Sequence, residues 1–203
     1  VTSAHDAGAV TVVVTNPDGQ SVSIPGAFTN VAPTERLYYL AEGSLLWQFE
    51  TTISISNANA TDAPVKVTFM KEDGTTVSLD TSVPANAHLT VRPAELAGMP
   101  GTSFATVVNS TTGLELAVAR TMTWDGGHGG HSASASSALA GKWYLAEGAQ
   151  GYFDTYVVVG NPGSTAGIVT ITFLVEGGSP IVRQYNISPT QRLTVFAGDI
   201  VGL

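Results

Sequence analysis

Apolar and polar residues alternate along most of this chain with a period of two. Ile53 and Ile55 are interleaved with Thr52, Ser54 and Ser56, and Val65, Val67 and Phe69 with Lys66 and Thr68. Val77 and Leu79 follow an Asp73-Gly74 turn; then come Leu89 and Val91, Phe104 to Val108, and Leu114 to Trp124. Such spacing places every second side chain on one face of a strand. Asn, Gly, Pro and Asp punctuate the segments, so residues 34–141 predict roughly seven short strands, as in a β-sandwich or barrel. Helical spacing of normal length is absent, although Pro93 to Gly98 fits a single turn. The expected fold class is all-β, with tandem immunoglobulin-like or β-sandwich domains and essentially no helix.

The pattern is then written a second time. Leu37-Tyr38-Tyr39-Leu40-Ala41-Glu42-Gly43 is matched about 105 residues later by Lys142-Trp143-Tyr144-Leu145-Ala146-Glu147-Gly148. Phe49 and Phe153, Asn57 and Asn161, Val67-Thr68-Phe69 and Ile171-Thr172-Phe173, and Leu89-Thr90-Val91 and Leu193-Thr194-Val195 follow in the same order. A period of that length is a whole domain. Residues 34–141 read as the first β-sandwich copy and 142–203 as a second. The second reads as incomplete at its C-terminus, lacking the counterparts of Phe104–Val108 and Leu114–Trp124. Between the copies, Asp125 to Ser137 is rich in Gly, His and Ser and reads as a flexible loop or linker.

Residues 1–33 differ. Ala9 to Thr15 is a β-rich run ending in the turn Asn16-Pro17-Asp18-Gly19, and Gln20 to Phe28 reads as the returning strand. Val12 to Gly19, Ser21 and Phe28 resemble the C-terminal end of an IPT/TIG domain, an immunoglobulin-like module. That resemblance implies that the chain opens on the last strands of such a domain. Trp143 to Gly148, Phe153, Thr155, Asn161, Pro162, Ile171 to Phe173, Gly178 and Leu193 to Val195 resemble an uncharacterised family of "WYLAEG" repeats in large exported bacterial proteins. The first copy carries Tyr38 for the Trp and Ala58 for the Pro. Arg120 to Trp124 and Gly130-His131 are similar to that family's closing strand and loop. The resemblance implies a secreted or surface context and no known activity.

Composition narrows the partners. Only 12% of the residues are charged, and the formal net charge is −8 with eight Lys and Arg. Nucleic-acid binding depends on neutralising phosphates, and anionic membranes also attract basic clusters, so neither is an expected partner. There are no cysteines, hence no disulfide and no thiolate metal site. No apolar run has the length of a membrane span.

Candidate chemistry is sparse. Asp125, His128 and His131 are the metal-binding candidates, since imidazoles three residues apart beside a carboxylate suit Zn²⁺, Ni²⁺ or Cu²⁺. A glycine run supplies no rigid second shell, so a His-Gly loop packed on a neighbour is preferred and no metal or other cofactor is expected. Glu42 and Glu147 recur, but no second acid recurs beside them as carboxylate-pair hydrolysis requires. A structural role is expected instead, with backbone N–H groups or Arg120 as partners.

Tyr38, Tyr39, Trp143, Tyr144, Tyr152 and Phe153 form either a glycan-stacking platform or core and junction plugs; Trp47 and Trp124 read as core. Asn59, Asn109 and Asn186 stand in glycosylation-type triplets. Asp62, Glu72, Asp73, Asp80 and Asp199 read as solvated turn carboxylates rather than calcium ligands. No Gly-x-Ser-x-Gly elbow accompanies the four histidines, so no catalytic residue and no enzyme activity is expected.

These readings converge on a non-enzymatic structural module of an extracellular or cell-surface bacterial protein. It would build a stalk, surface layer or filament with copies of itself or with adjacent repeats of one long chain; the unfinished ends read either as those of an excerpt from a longer chain, the preferred reading, or as sites of strand exchange between neighbouring subunits. The alternatives are an adhesin-type module for a glycan or a host or cell-surface protein, and accessory domains of a secreted hydrolase.

Overall fold

The structure, a computed structural model, describes residues 8–30 and 34–203. It is all-β: short strands in antiparallel sheets, with no helix beyond single 3-10 turns among the described residues. Residues 1–7 and 31–33, with His5 and the ends of the expected 1–33 segment, lie outside the described residues.

Strands β1 (Gly8–Thr15) and β2 (Ser21–Asn30) form a hairpin across the Asn16–Gly19 turn, where Gly19 N donates to Asn16 O at 2.9 Å. Val10 faces Phe28, Val12 faces Ile24 and Val14 faces Val22, so one face is apolar. All six side chains remain exposed.

The next eight strands form a sandwich. They are β3 (Arg36–Leu40), β4 (Glu50–Asn57), β5 (Ala63–Lys71), β6 (Thr76–Val83), β7 (Ala87–Val91), β8 (Phe104–Ser110), β9 (Ala117–Trp124) and β10 (Gly129–Ser134). One sheet runs β3-β8-β5-β6 and the other β10-β9-β4-β7. Alternation decides which side chains meet between them. Ile53, Ile55, Val67, Phe69, Phe104 and Val108 are fully buried in one core, with the Phe69 and Phe104 rings edge to face at 5.2 Å. Each such side chain contributes roughly 1.5–3 kcal/mol by leaving water. The expected single turn is present as a 3-10 turn at Pro93–Glu95.

Asp125–Ser137 departs from the expected flexible linker. Asp125–Gly127 forms a 3-10 turn, and Gly129–Ser134 pairs in unbroken register with Trp124–Ala119 of β9. A Gly-, His- and Ser-rich composition does not prevent this, because an edge ladder needs only backbone N–H and C=O groups. Gly129 lies where a side chain would run into the Trp124 indole, and the Thr121 and Ser132 hydroxyls bond across the pair at 2.8 Å. Ser136 then bridges to Tyr39 in the opposite sheet, closing that edge of the sandwich.

Beyond it lie β11 (Tyr156–Asn161), β12 (Gly167–Phe173), β13 (Ile181–Ile187) and β14 (Gln191–Phe196). They pair as β11-β14 and β12-β13. The registers follow the first sandwich: Val157 faces Val195 as Ile53 faces Val91, and Ile171 faces Arg183 as Val67 faces Leu79.

Candidate functional site

Two local devices explain why particular residues appear in both segments. Asn57 Nδ2 reaches the carbonyls of Thr61, Val83 and Pro84 at 2.9, 3.0 and 3.1 Å, tying the loop after β4 to the end of β6. Asn161 does the same with Thr165 and Ser188, both at 2.9 Å. Thr51 Oγ1 donates to Ser44 O at 2.8 Å and accepts from Ser44 N at 3.0 Å. Thr155 clamps Ala149 in the same way, at 2.6 and 3.1 Å. These polar side chains satisfy backbone groups that no strand partner reaches.

The most charged cluster of the sandwich forms where the Leu-Ala-Glu-Gly turn meets β9. Arg120 Nη2 lies 2.8 Å from Glu42 Oε2, and the arginine side chain is almost fully buried. His131 on β10 packs against both, with Nδ1 3.3 Å from Arg120 Nη2 and Nε2 3.6 Å from Glu42 Oε2. Trp124 lies beside the imidazole, ring centroids 5.8 Å apart. Burial pulls the Arg120 guanidinium below its ordinary value and Glu42 pushes it back up; so basic a group stays charged. A buried cation held by one carboxylate is a structural ion pair.

The sequence candidates separate here. Asp125 and His128 stand at the exposed turn before β10, whereas His131 is drawn to Arg120 and Glu42. Among the described residues no three His, Cys, Asp or Glu side chains gather as a metal-binding group. Glu147 is exposed, with no ion-pair partner among the described residues. Tyr38 is buried, its hydroxyl accepting from Leu116 N at 2.7 Å. Trp143, Tyr144, Tyr152 and Phe153 are exposed.

Trp47 corrects its assignment to the core. It is 76% exposed, because Trp47 and Gln48 both take positive φ (48° and 64°) in a tight turn closed by Phe49 N to Leu46 O at 2.8 Å. That reversal carries the indole outward. Left-handed backbone at two non-glycine residues costs roughly 1–2 kcal/mol each.

A second charged cluster, not anticipated from sequence, joins the two sets of strands. Arg192 on β14 lies 3.2 Å from Glu72, in the turn after β5, and its side chain is 5% exposed. Thr194 Oγ1 donates to the same carboxylate, and Gln191 Nε2 donates to the Glu72 carbonyl at 2.6 Å. Burial lowers the Arg192 pKa, while Glu72 and then Glu42 raise it. Beside this cluster Gly160 lies against Ala105 and Met70, outward-facing residues that are nonetheless buried. A shallow apolar depression of about 260 Å³, lined by Tyr39, Met70, Val107, Leu139 and Pro162 among others, continues this joint. The available signal was a difference between matched positions: Ser56 against Gly160, and His88 against Arg192.

No family model and no curated protein matches this chain. Among solved structures it is similar to Thermotoga maritima 1070, with TM-score 0.44 and 14% identity over 51% of this chain and 94% of that one. It is also similar to the Anabaena sensory rhodopsin transducer, with TM-score 0.35 and 26% identity over 44% of this chain and 97% of that one. At scores this low the likeness carries no argument about fold or function.

Proposed function

We propose that this chain is a non-enzymatic structural module of an extracellular or cell-surface bacterial protein, built from two copies of one "WYLAEG"-type repeat after an IPT/TIG-like hairpin. The observation that carries the reading is the joint at Glu72. A buried arginine, a threonine and a glutamine from β14 all converge on one turn of the preceding sandwich, and Gly160 permits close backbone approach. Burying Met70 at such a contact is worth roughly 1.5–3 kcal/mol. Copies joined this way transmit orientation, as a stalk, surface layer or filament requires, whereas a Gly/Ser tether would not. The charged side chains serve in structural pairs, which fits a module without catalysis.

Two measurements test the reading. Solution X-ray scattering should fit a single arrangement of the two sets of strands, and antibody against this chain should label intact cells of the source organism. Scattering that requires a broad ensemble of orientations, or antigen found only after lysis, overturns it.

A second reading, a glycan- or protein-binding module, is supported by Trp47, held outward on its strained turn. Retention of the chain on a glycan array, abolished by Trp47→Ala, would favour it; an array without binding removes the glycan form.

A further inference from the structure

Arg192 carries a permanent positive charge into a site where its side chain is only 5% exposed. A cation buried that deeply is strongly destabilising unless negative charge surrounds it. Its ion-pair contact is long, Nη1 to Glu72 Oε1 at 3.2 Å. That carboxylate is half in solvent and also accepts from the Thr194 hydroxyl. Arg192 Nε is buried and meets no acceptor among the described residues. Glu72 alone therefore leaves this guanidinium poorly compensated.

The opening turn of the first sandwich supplies further negative charge. Ala41 lies against β11, its Cα 4.0 Å from where a Cβ on Gly160 would stand. Glu42 is the next residue. Burial lowers the Arg192 pKa, and after Glu72 it is Glu42 that raises it again. The same Glu42 carboxylate holds Arg120 at 2.8 Å and has His131 Nε2 at 3.6 Å. Basic groups thus reach it from β9, β10 and β14.

The backbone of this turn is fixed on both sides of the carboxylate. Phe104 N donates to Gly43 O at 2.9 Å, and the Phe104 ring would stand 2.5 Å from a Cβ added at Gly43. The φ of Gly43 is not left-handed, so the ring, not backbone conformation, is what demands glycine there. Thr51 clamps Ser44 next to it. Arg120 then aims the Glu42 side chain.

We propose that the Ala41–Glu42–Gly43 turn is a receiving surface for the second segment, with Glu42 the shared counter-ion of Arg120 and Arg192, so that closure of the first sandwich and docking of β14 are energetically coupled. The proposal rests on the Glu72 joint and names a second attachment within it. Arg120, Glu42, Arg192 and Glu72 alternate in sign, so loss of one charge weakens the hold on its neighbours. Coupling of this kind runs in both directions. A loosened β9–β10 edge lets Glu42 turn to water and withdraws charge from Arg192. A detached β14 leaves Glu42 to Arg120 and His131 alone. Completion of one copy thereby becomes a condition for firm attachment of the next.

The test uses the intact chain carrying Glu42→Gln, which keeps the side chain's size and removes its charge. Amide hydrogen exchange should become roughly tenfold faster both at Gly129–Ser134 and at Gln191–Phe196, with Val65–Phe69 unchanged as a measure of folding. An effect confined to Gly129–Ser134 overturns the proposal. In an Arg192→Met background, Glu42→Gln should accelerate Gln191–Phe196 by less than about twofold. The full acceleration persisting there also overturns it, because the effect would then not pass through the arginine's charge. Arg192→Met alone, a change outside the first sandwich, gives the reverse reading should Glu42→Gln fail to fold. Gly129–Ser134 should then exchange several-fold faster, and an unchanged β10 refutes the coupling. Wild-type scattering that shows a broad ensemble removes the joint itself, whereas a single arrangement with a silent Glu42→Gln removes only the coupling.

Discussion

Glu42 and Arg120, 78 positions apart in sequence, meet at 2.8 Å with the arginine side chain only 3% exposed. The pair joins the turn that opens the sandwich to the strand that closes it. Its energetics are asymmetric. Removing the carboxylate strands a buried cation, at a cost of about 2–4 kcal/mol. Removing the arginine lets the part-exposed Glu42 rehydrate while an apolar chain fills the space. Glu42→Ala should therefore destabilise the chain more than Arg120→Met, and the double variant should resemble Arg120→Met. Urea denaturation of the three variants decides it; equal losses for the two single variants would count against the asymmetry.

Gly43 and Gly148 occupy matched positions with different surroundings. Gly43→Ala must push the Phe104 ring, costing about 1–3 kcal/mol, whereas Gly148→Ala should stay within about 0.5 kcal/mol. Phe104→Leu should recover part of the Gly43→Ala loss. Thermal denaturation of the two alanine variants separates the cases.

Asn57 donates to three carbonyls and is nearly fully buried. Its replacement by Ala leaves those acceptors unpaired and should cost about 2–3 kcal/mol, against about 1 kcal/mol for Asn161→Ala at a wetter site. Hydrogen exchange in the loop after each strand would show the same order.

At the joint, Gly160→Val places a side chain against Ala105, whose Cβ lies 3.1 Å from the position of an added Cβ. The expected outcome is a swung-out second segment: a larger radius of gyration and faster exchange around Gln191–Thr194, with the first sandwich unaltered. Unchanged scattering would mean that Ala105 and Met70 yield without opening the joint.

Asp73 gives a pH dependence of known sign. The Thr75 hydroxyl, then the Thr75 backbone N–H, hold its carboxyl below the ordinary value of 3.8, with Lys71 adding a smaller effect in the same direction. The folded pKa is depressed, so this contribution is complete above the unfolded value and is lost as pH falls through the folded one. Thr75→Val should raise the Asp73 midpoint in an NMR titration toward the ordinary value and shrink the share of acid destabilisation that Asp73 supplies. An unmoved midpoint would assign the effect elsewhere.

The all-β character, the strand periods, the Asp73-Gly74 turn and the single turn at Pro93 were legible because each depends on neighbours in sequence. Alternation at Ile53–Ile55 or Val65–Phe69 needs no distant partner to be read. The Glu42–Arg120 pairing was legible as one of two options, since a carboxylate stands at matched positions in both segments and its expected partners were backbone N–H groups or Arg120. What the sequence could not convey depended on long-range partners. Gly129 to Ser134 became a strand because β9 offered an edge, and ladder bonds are blind to side-chain composition. Trp47 left the core because two residues took left-handed backbone. Glu72 and Arg192 met because strands far apart in sequence docked face to face.

Sequence alone determined the alternating strands, most of the turns between them and the matched order of the two segments, since these follow from side-chain period and backbone propensity. Only the tertiary structure decided which matched residues are satisfied. Tyr38, Glu42, Gly43 and Phe49 each meet a partner from β8, β9 or the loop between them, while Trp143, Glu147, Gly148 and Phe153 carry similar chemistry with no such strand beside them among the described residues. A residue's type fixes what it can bind; the neighbouring strand fixes whether it does.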